Sequence, residues 1–326
     1  MFPLNPSFLS AVACAAAGLS GLLAACGAVC VRGSTAVPAA VWAVAACLAF
    51  AGEMAARAAG GLGDPAAAAA VRLGVVSLSL CPALSLLGAK RPQHGVWQLI
   101  VGTLAVVLVM PAASALLMRP GSLPDVHLVE RCFMPLLVLV GWLNFAGTRR
   151  LAAVTGIAGA ELLLMRGFLP GMAVDWAPTG VNAAIVDAVA AGLLLSGTLL
   201  ATVQALLSRA GRAKEVSGTD PRRDSVAAII DPPFLALRET LGAAWTLRIA
   251  ERFDTVAADR GWPCRLRFGG LETVGGLPET SSQPVWQRDA LRAFQALLRR
   301  FVSVAWLARH GWPRGTVDGQ HAEPLA

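Results

Sequence analysis

The stretch VNAAIVDAVAAGLLLSGTLLATVQALL, residues 181–207, is the longest uninterrupted apolar segment of the chain and holds one carboxylate, Asp187. A helix rises about 1.5 Å per residue, so this stretch exceeds the roughly 20 residues that cross a hydrocarbon core of about 30 Å. Arg209, Arg212 and Lys214 follow it closely. The stretch is therefore predicted to be a membrane span that separates a membrane domain from a water-soluble tail.

The composition indicates the same class of protein. Of 326 residues, 56% are hydrophobic and 14% are charged, whereas soluble domains are usually about 25% charged. The formal net charge of +7 is divided between the two halves, and the tail mixes both signs. That mixture is weak evidence for nucleic-acid binding, so we predict a lipid bilayer and no nucleic acid as partners.

Hydropathy predicts an all-α polytopic membrane protein with about seven transmembrane helices and a small α-rich (α+β) C-terminal module. The predicted spans are 8–31, 37–58, 66–88, 96–117, 130–148, 151–169 and 179–207. The predicted domains are a membrane domain at 1–209, a polar linker at 210–230, an amphipathic-helix module at 231–312 and a disordered tail at 313–326.

The basic residues between the predicted spans set the orientation. Connections after odd-numbered spans hold eight basic residues, and segments after even-numbered spans hold five. Cytoplasmic loops carry the excess of Lys and Arg. We therefore expect a multi-pass membrane protein with its N-terminus outside and its C-terminus in the cytoplasm.

The tail shows helical periodicity in two places. From the start signal Asp231-Pro232-Pro233, apolar residues recur every four positions and predict one helix that ends near Gly261. The alternating residues 265–268 predict a strand. A second helix is predicted to run from Pro284 to Gly311.

The first span carries small residues at intervals of four, namely Ala13, Ala17, Gly21 and Ala25. Such a row lets helices approach closely in lipid, so it is a candidate face for a homo-oligomer. The alternative is the general richness of this chain in alanine.

Two carboxylates, Glu161 and Asp187, lie within predicted spans, and counting residues places them at similar depth with Arg166 close by. Glu53 and Arg57 form an i,i+4 pair at the end of the second span. These five residues are the candidate ligand or ion site. Further charges expected to join them from spans three and five are Arg72, Glu130 and Arg131.

Two interpretations of these charges remain open, because an ionisable group in a membrane normally faces protein or water. They line an outward-facing vestibule that binds a small ligand or relays a proton, or they pair with each other and lock the helices together. No catalytic, cofactor or metal site is predicted, and the seven cysteines are expected to pack as small apolar residues.

The tail lacks a catalytic set but presents Trp245, Trp306, Arg299 and Arg300 as candidate partner-binding residues. The leading function is therefore a non-enzymatic sensor or assembly component whose tail binds a protein partner. The alternative is a small-solute or proton-coupled transporter that uses Glu161 and Asp187. An intramembrane enzyme acting on a lipid-linked substrate ranks third, because no second catalytic group accompanies the carboxylates.

Three segments of the tail, LGAAWTLRIAERF (241–253), GWP (261–263) and LRRFVS (298–303), resemble the C-terminal region of uncharacterised multi-pass bacterial membrane proteins. The resemblance covers the last third of the chain, and it implies a bacterial cytoplasmic (inner) membrane as the setting but no activity.

Overall fold

The computed structural model describes residues 5–88, 94–119, 121–171, 181–217, 225–273 and 285–313. It divides into two compact units, Met1–Ser208 and Arg209–Ala326. The helices that begin in the first unit are α1 (Pro6–Cys30), α2 (Val37–Ala58), α3 (Pro65–Leu87), α4 (His94–Met118), α5 (Leu128–Leu143), α6 (Leu151–Leu164) and α7 (Val181–Ser217).

Five of these helices, α1, α2, α3, α4 and α7, are long and apolar enough to cross a membrane. The other two are shorter than the seven-span prediction expects: α5 has 16 residues and α6 has 14. A short 3-10 turn at Arg166–Phe168 follows α6. The prediction of an all-α membrane protein is thus confirmed at the level of five candidate spans.

The helix α3 is the central element of the first unit. Its start is fixed by Asp64, whose carboxylate accepts hydrogen bonds from the backbone N–H groups of Ala66 and Ala67, and by Pro65 in the first turn. It packs against α2, α4, α5 and α6. Accordingly 56% of its apolar 18-residue segment is buried, whereas the corresponding share is 22–28% in the other four long helices.

The outward faces of the long helices are apolar. On α4, for example, Leu99, Leu117 and Met118 are 70%, 82% and 81% exposed. Contiguous apolar surface of this kind marks contact with lipid. The first unit therefore has the surface of a membrane protein as well as the helix lengths.

The small-residue row of α1 packs inside the chain. Ala13 and Ala17 are fully buried, and a Cβ added at Gly21 would lie 3.3 Å from the Cβ of Cys47 on α2. Three residues of this face, Ala13, Ala17 and Gly21, are thus buried within the chain, whereas Ala25 is exposed, and a homo-oligomer through this face stays a prediction. The close approach that the small residues permit is made within one chain.

A second close approach joins α6 to α7. A Cβ added at Gly197 would lie 2.7 Å from the carbonyl oxygen of Ala153, and one added at Gly156 would lie 3.2 Å from that of Leu193. The two glycines therefore let the helix backbones touch.

Polar contacts show that α6 runs beside α7 over most of its length. Near the start of α6, the Gln204 amide of α7 donates to the carbonyl of Arg149. Beyond its end, the Arg166 guanidinium meets Asp187 of α7. Asp187 and Gln204 are separated by about 25 Å along a helix, so α6 with its 3-10 turn covers that depth.

The start of α2, the end of α3 and the start of α4 are joined by a second network of hydrogen bonds. The Trp42 indole donates to Gln98, and the Gln98 amide donates to Ser85. Trp142, at the end of α5, donates to Thr155 of α6. Indoles of this kind, apolar in body with one polar edge, suit the interfacial level of a bilayer.

The second unit contains α8 (Val226–Leu241), α9 (Ala243–Asp259), β1 (Cys264–Arg267), β2 (Gly270–Thr273), α10 (Val285–Leu298) and α11 (Val304–Arg309). The two strands form one antiparallel hairpin. The core of the second unit includes a chain of aromatic rings in which Phe294 lies edge-on to both Phe234 and Phe253.

The predicted tail helices are each divided in two. Gly242 adopts φ +83° and separates α8 from α9, a conformation that favours glycine. Pro232 and Pro233 lie within α8 rather than at its start. The second predicted helix is interrupted at residues 299–303, where Phe301 and Val302 enter the core.

The predicted linker at 210–230 is also mostly helical among its described residues, because α7 continues to Ser217 and α8 begins at Val226. Residues 314–326 of the predicted disordered tail lie outside the described residues.

Helix carboxylates cap the hairpin on both edges. Leu266 and Leu271 face each other across the two strands. The backbone N–H of Leu266 donates to Asp254 of α9 over 2.6 Å, and that of Leu271 donates to Asp231 of α8 over 2.8 Å. One backbone N–H on the outer edge of each strand is thus hydrogen-bonded to a helix side chain, which limits pairing with other chains. Burial raises the pKa of Asp231, opposed by its bond to Leu271.

Candidate functional site

Charged side chains from three helices and one turn meet at one end of the first unit. Two come from the last turns of α2, one from α3, one from α7 and one from the 3-10 turn after α6. We call them the arginine–carboxylate cluster: Glu53, Arg57, Arg72, Arg166 and Asp187.

Arg72 is the centre of the cluster. Its Nε donates to both oxygens of Glu53 over 2.8 Å. Its Nη1 and Nη2 donate to the two oxygens of Asp187 over 2.9 and 3.0 Å. This fork-to-fork geometry is the strongest form of an arginine–carboxylate pair, and it ties α2 and α7 to α3.

Two further arginines complete the cluster. Arg57 donates to Glu53 over 2.7 Å and lies 3.6 Å from Asp187. Arg166 bonds to Asp187 over 3.2 Å and to the carbonyl of Leu163 over 2.9 Å. Every carboxylate oxygen of the cluster therefore faces at least one guanidinium.

The centre of the cluster is enclosed by protein. Arg72 is 0% exposed, and Glu53 and Asp187 are each 2% exposed. The Arg72 guanidinium also lies 5.8 Å from the centroid of the Phe50 ring. Buried charges are stable only when they are paired and hydrogen-bonded, and this geometry satisfies that requirement.

Glu161 does not belong to the cluster. It is half-buried on α6, and within the described part of the chain its side chain has no hydrogen bond or ion pair. The expected meeting of Glu161 with Asp187 is therefore not observed. Arg166 alone joins Asp187 from that side, because the chain leaves the helix after Leu164.

Glu130 and Arg131, which were expected to join the charges, instead organise the start of α5. Glu130 accepts from the backbone N–H of His127, and Arg131 donates to the carbonyl of Val126. Arg72, which was expected only as an accessory charge, is the organising residue. The signal for it was its position inside an alanine-rich apolar helix, where an arginine must find a partner.

The candidate partner-binding residues of the tail fall into two groups. Trp306 is 1% exposed and stacks on His310, so its prediction as a binding residue is wrong. Trp245 is half-buried, and its ring centroid lies 5.1 Å from that of Phe301. The Arg248 guanidinium lies over the Trp245 ring. Arg299 and Arg300 are exposed.

The tail also contains a buried thiol, Cys264, at the start of β1. Its side chain is 2% exposed, and burial together with nearby Asp254 raises the pKa of this thiol to about 11. The thiol is therefore protonated and unreactive at neutral pH. In the described ranges, no three His, Cys, Asp or Glu side chains are grouped to hold a metal ion.

No family model matches the chain, and no curated protein or solved structure is significantly similar to it.

Proposed function

We propose that this protein is a non-enzymatic membrane component, a sensor or an assembly factor, in which the cluster locks the membrane helices and the tail binds a partner. The observation that supports a locking role is the fully buried Arg72, which bridges Glu53 and Asp187. A carboxylate held by three arginines is a poor proton carrier, because protonation would leave buried positive charge unpaired.

The proposal includes seven crossings with the N-terminus outside and the tail in the cytoplasm. In support, the cluster joins the end of α2 with the starts of α3 and α7, so these ends share one side. An even number of crossings must lie between the starts of α3 and α7. The depth that α6 covers beside α7 favours four such crossings, by α3 to α6.

The cluster also affects the count of basic residues from which a cytoplasmic tail is predicted. Three of the five basic residues on the outer side, Arg57, Arg72 and Arg166, are paired with carboxylates. They are therefore structural charges rather than loop charges. The excess of basic residues at the other ends of the helices becomes larger, which supports a cytoplasmic tail.

A vesicle assay tests the locking role against transport. The full-length protein is reconstituted with a trapped pH-sensitive dye, next to the double variant Arg72→Met/Asp187→Leu. We expect the wild-type vesicles to leak protons no faster than empty ones. Proton flux above that level that disappears in a folded double variant would contradict the proposal.

A second candidate function, proton-coupled transport, is favoured by one observation. Glu161 is a half-buried carboxylate in an apolar helix and lacks a polar partner in the described residues. If it carries protons, Glu161→Gln abolishes a flux that Arg72→Met/Asp187→Leu leaves intact. The same vesicles therefore separate the two functions.

Photo-crosslinking tests the protein partner. Leu247, next to Trp245 and Arg248, is 54% exposed. A photoreactive residue at this position in cells is expected to give one discrete adduct, whereas the exposed control position Ala258 on the same helix gives none. Equal labelling at both positions, or none at either, would remove the support for a partner at this surface.

A further inference from the structure

Arginines lie in a row along the exposed side of α10 and at the residue that follows its last turn, Arg299, whose backbone N–H still donates to the carbonyl of Gln295. At 100° per residue, Arg288, Arg292 and Arg299 lie within about 40° of one another around the helix axis. All three are exposed, whereas Ala290 and Phe294 on the far side are fully buried. We call these three residues the arginine stripe.

Nothing acidic lies on the stripe itself. Asp289, the carboxylate of α10, is about 100° away from Arg288 and is half-buried. The side chains nearest to the stripe are Gln295, which is 8% exposed, Val285, which is 69% exposed, and the exposed Ala296. The face therefore combines three positive charges with exposed apolar carbon.

The surface continues beyond the end of α10. Arg300 is exposed next to Phe301, and Phe301 contacts Trp245, over which Arg248 lies. Trp245 and Arg248 belong to the surface proposed above for the protein partner, so lipid binding is proposed for the arginine stripe alone.

We propose that the arginine stripe binds the anionic lipid headgroups of the bilayer in which the first unit is embedded. Charge complementarity supports this occupant, because guanidinium groups pair with phosphates and the exposed Val285 suits the headgroup boundary. The tether supports it as well. α7 ends at Ser217 and α8 begins at Val226, so the tail is held at high effective concentration near lipid.

This inference rests on the membrane setting of the proposed function but not on a protein partner or on the sidedness of the tail. Bilayer discs with the same lipids in both leaflets offer the stripe an equivalent surface from either side. Loss of lipid binding and loss of the protein partner are therefore separate results.

The test is arginine footprinting of the full-length protein in two kinds of disc, one of phosphatidylcholine and one with about a third phosphatidylglycerol. Phenylglyoxal modifies accessible guanidinium groups, and mass spectrometry reads each site. We expect Arg288, Arg292 and Arg299 to be protected in the anionic discs at low salt. The exposed Arg265 and Arg267 of β1 are the internal control and are expected to react equally in both.

Matched variants remove the same number of exposed arginines from each surface. Each basic residue near an anionic surface contributes about 1 kcal/mol. Arg292→Gln/Arg299→Gln should therefore lower the ratio of docked to undocked tail about 30-fold, and Arg288 should lose its protection. Arg265→Gln/Arg267→Gln should leave that protection unchanged, and high salt should remove it.

Three results would overturn the inference. They are equal modification of the stripe in both kinds of disc, protection in phosphatidylcholine alone, and protection that appears only when nucleic acid or an acidic protein is added. Persistence of the Leu247 crosslink in any of these cases would leave the proposed protein partner standing.

Discussion

Arg72 on α3 and Asp187 on α7, 115 residues apart in sequence, form a doubly hydrogen-bonded ion pair with no exposed surface on the arginine. Because the Nε–H of Arg72 donates to Glu53, one planar guanidinium fixes three helices. The geometry depends on the shape of that group as well as on its charge.

Arg72→Lys should destabilise the protein although it keeps the charge. An ammonium cannot place two parallel bonds on Asp187 while it holds Glu53. We expect a loss of about 2–3 kcal/mol in the free energy of unfolding, as for hydrogen bonds to charged groups. Thermal unfolding in detergent measures it. Arg131→Lys, outside the cluster, is the control, and equal stability of both variants would argue against the geometric role.

Gly197→Leu should separate α6 from α7. A Cβ at this position would lie 2.7 Å from a backbone oxygen, and backbone cannot move aside as a side chain does. Gly192→Leu on the same helix is the matched control, because a Cβ there would meet nothing within 4 Å. We expect the first variant to lose folded yield in membranes while the second keeps it. Equal yields would mean that the two backbones do not touch.

Asp254→Ala should open one edge of the hairpin. The Leu266 N–H loses its acceptor, which costs about 1–3 kcal/mol if it stays buried. Hydrogen exchange of the full-length protein should show faster exchange at Leu266. Glu251→Ala, an exposed carboxylate one turn earlier on α9, should leave this exchange unchanged. Unaltered exchange in Asp254→Ala would show that the carboxylate does not cap the strand.

The stability of the tail should depend on pH through Asp231. Its pKa is raised in the folded state by burial. The stabilising contribution is therefore fully present below the unfolded pKa of about 4 and is lost as pH rises through the folded pKa.

Asp231→Asn keeps an oxygen acceptor for Leu271 and removes the titration. At neutral pH we expect the backbone N–H groups of the hairpin to exchange hydrogen more slowly in this variant than in the wild type. Below about pH 4 the two rates should not differ. The reverse order, with wild type more protected at neutral pH, would contradict burial as the dominant effect on this group.

The sequence predicts much of the architecture because the membrane imposes it. Apolar runs of sufficient length, such as 181–207, identify long helices without knowledge of their packing. Helix breaks in the tail are harder to predict, because Gly242 and Phe301 act through tertiary packing that periodicity does not report.

The charged site was predictable in part. Glu53 with Arg57 and Arg166 with Asp187 follow from spacing and depth along helices. The failure of Glu161 to join them could not be predicted, because depth does not specify which way a helix faces. The central role of Arg72 requires the three-dimensional arrangement of α2, α3 and α7.

The most direct test of the locking role is a double-mutant cycle on Arg72 and Asp187 in the full-length protein. Either change breaks the doubly hydrogen-bonded pair, although Glu53 still contacts Arg72 and Arg166 still contacts Asp187. Arg72→Met and Asp187→Leu should therefore each lower the free energy of unfolding by about 2–3 kcal/mol, as for hydrogen bonds to charged groups. The double variant retains the Glu53–Arg57 pair, and it should lose clearly less than the sum of the two single losses. Additive losses, with the double variant the least stable, would contradict the claim that this ion pair locks the membrane helices.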